Sequence, residues 1–380
     1  MKALMVASVA SMIDQFNREN ISLLQTMGYE VDVACNFEVG NTSSEERVKR
    51  FRQELQKQEV GTFQLPIPRK ILAFSDMIQA YKQLKKMVEE KQYTLVHCHS
   101  PIGSVIARLA CRKQRKKGLK LIYTAHGFHF FTGAPKKNWL IFYPIEKIFA
   151  RYTDILITIC SEDYQRARKK KLGKNIVYSP GVGIDVDKVK KIDKKADKRQ
   201  MLGIREKDIL VLSVGELNQN KNHETIVRAL KQLNRTDVHY VICGQGDKKE
   251  ELERMAKQFG MEERLHLLGF RTDALEWMKV ADLFAFPSYR EGLPVSLMEA
   301  MAAGLPVVCS KIRGNVDLIK DGEGGYMCEA MDVASFAENL SRLIKDAEQR
   351  KCMGEKNQIT VQQFDKSRVS EVMKKVYGAV

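Results

Sequence analysis

Two glutamates eight positions apart are the strongest candidates in this chain for residues that bind or act on a ligand. Glu291 and Glu299 lie in the run PSYREGLPVSLMEAMAAGLPVVCS, residues 287–310. Glu291 directly precedes a predicted helix start, where unpaired backbone N–H groups favour a bound phosphate. A carboxylate beside such a phosphate is suited to accept hydrogen bonds from hydroxyl groups. The spacing therefore predicts a site for a ligand that carries both an anion and hydroxyls.

The helix and strands around the two glutamates are predicted from the residues that mark their ends. A proline opens the predicted helix and a glycine closes it, which are common boundary signals. Apolar stretches on both sides predict strands. The sequence thus predicts a strand from Asp282 to Ser288, a loop from Arg290 to Leu293, a helix from Pro294 to Ala303 closed by Gly304, and a strand from Pro306 to Ser310.

The predicted helix is apolar at every position except Ser296 and Glu299. A carboxylate in such packing is unfavourable unless a specific partner satisfies it, so we expect Glu299 to bind something definite. Two structural alternatives stay open. Glu299 could occupy the solvent-facing stripe of a half-buried helix, and Glu291 could be a loop glutamate favoured by the helix dipole.

The Glu291-(seven residues)-Glu299 pattern, with Gly292 after the first glutamate and AMAAGLPVV after the second, resembles the signature of family 4 retaining glycosyltransferases. The resemblance implies an α/β chain with two Rossmann-like domains facing across a cleft, the glycosyltransferase B fold. It also implies that Glu299 holds ribose hydroxyls and Glu291 holds donor-sugar hydroxyls. The diphosphate would be bound by the N–H groups of Gly292 and Leu293, beside Pro294, without a divalent metal or other cofactor.

A lysine at a second helix start supports an anion site. The strand ILVLSVG, residues 209–215, is followed by ELNQNKN, which places Lys221 next to the start of a helix predicted from His223 to Leu233. Lysine and a helix N-terminus both favour a diphosphate. The family loop typically has Gly-Arg-Leu-x-x-x-Lys. This chain matches at Gly215, Leu217 and Lys221 but has Glu216 where arginine is expected, so another cation or the backbone must compensate.

Glycines after two further strands are candidates for the nucleotide site. Gly244-x-Gly246 follows a strand predicted from Val238 to Cys243, although glycines there often serve only a tight turn. By resemblance, Gly244 lies near the nucleotide and the loop of residues 265–273, which contains Gly269, reads the base. The family's later Gly-x-x-Glu element corresponds to residues 314–317, which end in aspartate and are left unassigned.

Histidines in the first half lie where strands are predicted to end. His126 follows the strand LIYTA, and the carboxyl edge of a parallel sheet is where ligands bind. By resemblance, His126 contacts the donor sugar near the reacting carbon and, with Glu291 and Lys221, belongs to the catalytic set. A buried structural histidine is the alternative. His97 and His99 alternate on one strand face without an evident third metal ligand, so we interpret them as crevice-lining or structural.

Length and local composition predict two domains. A chain of 380 residues exceeds what one core usually serves, and strand-helix repeats predict parallel sheets. Pro180, Gly181 and Gly183 mark a hinge, so we predict an acceptor-binding domain at 1–183 and a nucleotide-sugar-binding domain at 184–361. A helix within 362–380 is expected to return to the first domain. The Asp185-Val186-Asp187 run resembles a metal motif but lies in the linker, so we discount it.

Charge is concentrated in the first half. Residues 1–200 contain 37 Lys and Arg against 20 Asp and Glu, whereas residues 201–380 contain 26 against 27. The segments 112–120 and 166–174 are densely basic. Such runs are often solvated helix ends, but they also suit an anionic membrane surface. No nucleic-acid motif with interleaved aromatic residues accompanies them, so we favour the membrane and expect no nucleic-acid partner.

Cysteines and the amino terminus indicate a cytoplasmic protein. The eight cysteines are dispersed without metal or disulfide spacing, which predicts reduced core residues. The start MKALMVASVASMI predicts a first strand and not a signal peptide, because a helix (Gln15 to Met27) and a strand (Tyr29 to Cys35) follow directly. No apolar stretch is long enough to span a bilayer.

Together with the family resemblance, these patterns lead us to expect a retaining glycosyltransferase on the inner face of the plasma membrane. The chain is similar to bacterial exopolysaccharide and capsule glycosyltransferases, and this similarity implies transfer of a hexose, with UDP-linked N-acetylhexosamine as the preferred donor, to a lipid-linked saccharide. Two alternatives remain. One is a nucleotide-sugar epimerase of the same architecture, and the other is a catalytically silent protein that binds nucleic acid or membrane through its basic half.

Overall fold

The computed structural model of the chain describes residues 1–69, 72–195 and 197–380. These residues form two compact units. The first comprises Met1–Val182 and Ser367–Val380, and the second comprises Gly183–Lys366. The chain passes from the first unit to the second after Val182, one residue before the predicted boundary at 183. The return lies later than 362, because the segment before Ser367 pairs with the second unit: Ile184 N–H donates to Phe364 O at 3.1 Å and Lys366 N–H to Ile184 O at 2.9 Å.

The first unit contains a seven-stranded parallel sheet in the order β3-β2-β1-β4-β5-β6-β7. Its direction of winding reverses between β1 and β4, and the ends of such strands form the usual ligand crevice of a doubly wound sheet. The strands are β1 Lys2–Val9, β2 Glu30–Asn36, β3 Gly61–Gln64, β4 Leu95–His99, β5 Lys120–Ala125, β6 Ile155–Thr158 and β7 Asn175–Tyr178. The helices are α1 Ala10–Phe16, α2 Arg18–Thr26, α3 Glu45–Lys57, α4 Phe74–Lys91, α5 Pro101–Ala110, α6 Arg112–Arg115, α7 Lys136–Phe149 and α8 Ser161–Lys170.

The second unit contains a six-stranded parallel sheet in the order β10-β9-β8-β11-β12-β13. Its strands are β8 Ile209–Val214, β9 Val238–Cys243, β10 Leu265–Leu267, β11 Leu283–Phe286, β12 Val307–Ser310 and β13 Gly325–Cys328. The helices are α9 Val186–Lys190, α10 Asp197–Gln200, α11 His223–Leu233, α12 Lys249–Phe259, α13 Ala274–Val280, α14 Val295–Ala302, α15 Asn315–Leu318, α16 Val333–Lys345 and α17 Ala347–Thr360. Helix α18, Lys366–Gly378, returns to the first unit.

The strands are apolar because both sheet faces are covered. Alternate residues of β1 enter different cores: Leu4 and Val6 pack with α4 and α5, whereas Ala3 and Met5 pack with α2, α3 and α18. Tyr377 of α18 is 1% exposed, so the carboxyl-terminal helix contributes directly to this core. Strands buried on both faces lack the polar alternation of a half-exposed sheet, as expected for parallel strands under helices.

Two local predictions differ from the structure. The helix predicted from Gln15 to Met27 is two helices, because Asn17 leaves helical geometry at φ −130° and its side chain donates to Met12 O at 3.3 Å. Seven cysteines are buried and free as predicted, but Cys352 is exposed on α17. Among the described residues, no helix has the length and apolar character needed to cross a membrane.

Candidate active site

Lys221 lies over the carboxyl end of β8, directly before α11. Its aliphatic stem packs on Gly215, where an added Cβ would stand 3.2 Å from Lys221 Cε and 3.3 Å from Cδ. Its Nζ lies 5.0 Å from the centre of the Phe286 ring at the end of β11. Gly215 therefore leaves room for the lysine stem, and the Lys221 charge lies near the end of the neighbouring strand β11.

The structure brings Lys221 and Glu291 together. Lys221 Nζ donates to Glu291 Oε1 at 2.7 Å, and the two side chains are 20% and 13% exposed. The pair joins the loop after β8 to the loop after β11. The ammonium group has three N–H donors, so an anion can bind Lys221 beside this contact or in place of it, and the second case leaves the Glu291 carboxylate free to accept hydrogen bonds from adjacent hydroxyls.

Asparagine contacts fix these two loops against each other. Asn220 Nδ2 donates to Arg290 O at 3.0 Å, and Tyr289 N–H donates to Asn220 O at 2.8 Å. Asn222 has a left-handed backbone at φ 55°, and its Nδ2 donates to Pro287 O at 3.0 Å and Ala330 O at 2.9 Å. Neither Asn220 nor Asn222 was predicted from the sequence to have this role. An asparagine before a helix suggests a simple cap, whereas this one bridges three loops.

Glycines allow the loops after β8, β9 and β10 to approach closely. A Cβ on Gly244 would lie 1.8 Å from Gly215 O, and one on Gly246 would lie 2.2 Å from Leu217 O. Gly244 also bridges to Gly269, which has a left-handed backbone at φ 68°. A tight turn alone therefore does not explain why glycine occupies positions 244 and 246. Contact with the backbone of the neighbouring loop leaves no room for a side chain at either position.

The start of α14 presents unpaired donors. Pro294 precedes the helix, and within the described residues the N–H groups of Gly292 and Leu293 have no hydrogen-bond acceptor. Gly314 packs against Gly292, where an added Cβ would lie 1.9 Å from Gly292 O. Two free amides at a helix N-terminus, with Lys221 paired to the same loop, are an arrangement that favours a bound anion.

Glu299 lies on α14 with its side chain partly exposed, although most of the helix is buried. Burial raises the pKa of its carboxyl to about 7, and the positive charge of Lys188 on α9 offsets part of that rise. No hydrogen bond to this carboxylate comes from the residues that the structure describes. The group is desolvated and without an internal donor, which is the state expected for a carboxylate that receives ligand hydroxyls.

Glu216 does not replace the cation expected at its position. Its side chain is exposed and accepts a hydrogen bond from Asn218 Nδ2 at 2.8 Å. A different cation lies at the neighbouring loop: Arg313, which is 8% exposed, donates from Nε to Glu291 O at 3.1 Å. Arg313 directly precedes residues 314–317, the segment to which the sequence analysis gave no role.

His126 belongs to the first unit, in the loop after β5. Its ring is partly exposed, burial lowers its pKa to about 4, and Nε2 lies 3.1 Å from Nδ1 of His99. His97 and His99 are both 1% exposed. His97 bonds Thr124 Oγ1 and the Tyr377 hydroxyl, each at 2.8 Å, so it is a buried structural residue.

A cavity of about 390 Å³ lies in the first unit where β1 and β4 end. Ser100, at φ 62° and ψ 149°, holds a strained backbone, and its Oγ accepts from Ser8 N–H at 3.0 Å. Such strain is common at ligand-binding sites. The segment from Ala7 to Asn17 lacks glycine, and the cavity is lined here by serines and short helix α1 instead. Further lining residues include Ser11, Gln15, Phe16, Arg69 and His129.

In the described ranges, no group of three His, Cys, Asp or Glu side chains converges. The Asp185-Val186-Asp187 run has a structural explanation. Asp185 caps α9 by accepting from Lys188 N–H at 2.9 Å, and it pairs with Lys366 Nζ at 2.9 Å.

Each of the two units has a parallel α/β sheet, and the second carries a lysine, two carboxylates and free amides in the loops after its strands, which suits a ligand with an anionic group and hydroxyls. Family models agree: residues 17–186 match Glycosyltransferase Family 4, and residues 194–360 match Glycosyl transferases group 1. The chain belongs to the family 4 glycosyltransferases, so it is an enzyme that transfers sugars, as the family resemblance of the glutamate pattern implied.

Two similar proteins match over all or most of the chain. A putative glycosyltransferase, EpsD of Bacillus subtilis, is 33% identical over 383 residues, which are 100% of this chain and 96% of the relative. The UDP-Gal:alpha-D-GlcNAc-diphosphoundecaprenol alpha-1,3-galactosyltransferase of Escherichia coli is 31% identical over 71% of this chain and 70% of its own.

Among solved structures, Anabaena HepE in complex with UDP-glucose superposes with a TM-score of 0.79 at 19% identity, over 100% of both chains. WaaG, a glycosyltransferase involved in lipopolysaccharide biosynthesis, gives 0.72 at 20% identity over 99% of each. These similarities confirm the glycosyltransferase B fold.

Proposed function

We propose that the chain transfers a hexose from a UDP-sugar to a lipid-linked saccharide with retention of configuration, in exopolysaccharide or capsule synthesis. The proposal that the chain binds a UDP-sugar donor rests on the Lys221 and Glu291 pair, which lies beside the free N–H groups of Gly292 and Leu293. A cation and amides bind a diphosphate, and two carboxylates flank it to hold hydroxyls.

The donor would lie along the loops of the second unit. Gly244 and Gly269 let the backbone approach the nucleotide, Glu299 accepts hydrogen bonds from the ribose hydroxyls, and Glu291 accepts them from the sugar once Lys221 binds phosphate. The preference for an N-acetylhexosamine rests on the similarity to bacterial polysaccharide enzymes. UDP as the nucleotide is supported by the names of the relatives from Escherichia coli and Anabaena.

The chemistry follows from what the site offers. The bond between the anomeric carbon and the diphosphate oxygen breaks while the acceptor hydroxyl attacks the same face. Its proton passes to the departing phosphate, so UDP leaves and a glycosidic bond forms. Lys221 and the α14 amides stabilise the negative charge that grows on the leaving group, the task that a divalent metal performs in other enzymes. We therefore propose that no metal or other cofactor is needed.

The acceptor half is proposed for the first unit. Its cavity of about 390 Å³ combines hydroxyls of Ser8 and Ser11 with Phe16 and the cation Arg69. Hydroxyls, an aromatic ring and a cation suit a saccharide that carries a phosphate. A diphosphate-linked lipid saccharide is the acceptor of the Escherichia coli relative.

A peripheral site on the inner face of the plasma membrane is supported by one side of the first unit. Helix α7 exposes Leu140, Ile141 and Ile148 by 77%, 47% and 49%. The basic segment at the end of α8 lies beside it, because Lys147 Nζ donates to Lys170 O at 2.6 Å. Exposed aliphatic residues next to lysines are typical of surfaces that lie on anionic bilayers. The same face gives no reason to expect nucleic acid.

A donor panel tests the proposal. UDP release is measured for UDP-glucose, UDP-galactose, UDP-N-acetylglucosamine and UDP-N-acetylgalactosamine, with undecaprenyl-diphosphate saccharide as acceptor. Lys221→Met should lower turnover at least about 100-fold, because a charge-assisted contact to the leaving group is lost. Lys207→Met, at an exposed lysine outside the site, should leave it unchanged. Equal turnover of both variants would contradict the assignment, and acceptor-independent conversion of one UDP-sugar to another would favour the epimerase.

A further inference from the structure

His126 has one hydrogen-bonding partner within the described part of the chain. Its Nε2 lies 3.1 Å from Nδ1 of His99, the last residue of β4. A hydrogen bond between two neutral imidazoles needs one protonated and one bare nitrogen. The orientation of that bond decides which nitrogen of His126 carries its hydrogen, so it also decides what His126 offers to a ligand.

The second nitrogen of His99 settles the direction. His99 Nε2 lies 3.1 Å from Sδ of Met5 on β1. A thioether sulfur accepts hydrogen bonds and cannot donate one, so Nε2 is the nitrogen that carries the hydrogen. In a neutral ring, Nδ1 is then bare and accepts from His126 Nε2–H. His126 is left with a bare Nδ1.

The surroundings keep His99 neutral. Its ring centre lies 4.2 Å from that of His97, and no carboxylate pairs with it among the described residues. Burial holds the pKa of His99 well below its usual range and lowers that of His97 to about 3. A second proton on His99 would place a positive charge in an unpaired, desolvated position.

We propose that His99 is a positioning residue that holds His126 in the Nε2–H tautomer, so that His126 Nδ1 accepts a hydrogen bond from a hydroxyl of a bound saccharide. The ligand part of this inference rests on the proposed function, whereas the tautomer does not. An accepting nitrogen selects sugars that present a hydroxyl at this point. It disfavours uronic acids, whose carboxylate would meet a lone pair.

The tautomer is measured directly by long-range ¹H–¹⁵N correlation spectra of the full-length protein labelled at histidine nitrogen. The His126 signals, assigned with His126→Gln, should show a protonated Nε2 and a bare Nδ1 without any substrate. A protonated Nδ1 would overturn the proposal. His239 and His266, whose Nδ1 and Nε2 also lie 3.1 Å apart, give a reference pair in the second unit.

Substitution of His99 tests whether it sets the tautomer. In His99→Leu the His126 preference should be lost while the His239 and His266 signals stay unchanged; an unaltered His126 tautomer would refute the role of His99. Met5→Leu, nearly equal in volume, should weaken the preference in the same direction. The wild-type spectrum decides the tautomer even if a variant does not fold.

A double-mutant cycle separates positioning from general support. With UDP-N-acetylglucosamine as probe, His99→Leu should lower kcat/KM about tenfold, the loss of one hydrogen bond in the transition state. It should leave the Kd of UDP unchanged and cause no further loss in a His126→Ala background. An equal loss in both backgrounds would overturn the positioning role. Absence of UDP-sugar turnover in wild type, with the expected tautomer present, would instead count against the proposed function.

Discussion

Glu299→Gln should stabilise the second unit in a pH-dependent way. Burial raises the pKa of Glu299 to about 7 from an ordinary 4.5, so the folded protein retains this proton after the unfolded chain has released it. Stability is therefore highest below pH about 4.5 and falls as pH rises to about 7. Glutamine resembles the protonated acid and does not titrate, so the variant should not show this fall.

The size of the effect follows from the same pKa. Holding the ionised carboxylate in its desolvated position destabilises the ligand-free protein by about 3 kcal/mol above pH 7. At pH 5, where the group is still largely protonated in the folded protein, the difference between variant and wild type should be below about 1 kcal/mol. The predicted change between pH 5 and pH 8 is thus about 2 kcal/mol in the free energy of unfolding.

Fluorescence can report the second unit alone. The chain has two tryptophans, Trp139 in the first unit and Trp277, 3% exposed, in the second. In a Trp139→Phe background, urea unfolding followed at Trp277 gives the stability of the second unit at each pH. A stability difference between the Glu299→Gln variant and its parent that is equal at pH 5 and pH 8 would refute the argument from burial.

Ligand binding should reverse the order of stability. Ribose hydroxyls that donate to a charged carboxylate contribute about 1.5 to 3 kcal/mol, so Glu299→Gln should weaken UDP binding about 10-fold to 150-fold. Because UDP would favour the ionised carboxylate, its binding near pH 6 should release a proton, which calorimetry in buffers of different ionisation enthalpy detects. Unchanged UDP affinity in the variant would separate Glu299 from the ribose.

Three further results are expected. Gly244→Ala places Cβ against Gly215 O and should lower the Tm of the second unit and abolish UDP binding, whereas Gly378→Ala, which meets open space, should do neither. Asn222→Ala should destabilise that unit by about 2 kcal/mol, because two hydrogen bonds are lost. Asn222→Gly should destabilise it by about 1 kcal/mol less, because residue 222 has a φ of 55°, which glycine adopts without strain. The reverse order of stability in urea unfolding would contradict this. Leu140→Gln with Ile148→Gln should reduce sedimentation with phosphatidylglycerol vesicles, and the exposed second-unit control Met331→Gln should not; equal binding of both would exclude α7 from the contact.

Much of the second unit was predictable because its signals are local. The strand at 238–243 and the helix from His223 to Leu233 agree with the structure residue for residue, and the strand predicted at 209–215 ends one residue earlier, at Val214, since apolar runs there end at glycine or asparagine. The glutamate pair was visible for the same reason. Its fixed spacing reflects one loop and one helix, so both residues belong to one local stretch of the sequence.

Contacts between distant segments could not be predicted. The pairing of Lys221 with Glu291 spans 70 residues, and the contact between His97 and Tyr377 spans 280. The role of Asn222 also depends on carbonyl groups in two other loops. Such contacts are set by sheet order, which places sequence-distant strand ends side by side. The return of the chain at Ser367, and not at Gln362, is likewise fixed by pairing with Ile184.

Transfer of a radiolabelled sugar tests the central claim most directly. Each UDP-sugar, labelled in the sugar, is incubated with undecaprenyl-diphosphate saccharide and wild-type protein, and with Glu299→Gln as the matched variant. Wild type should transfer label to the lipid product with the anomeric configuration of the donor, and the variant should transfer little. Release of UDP without labelled lipid, an inverted product, or equal transfer by the variant would contradict it.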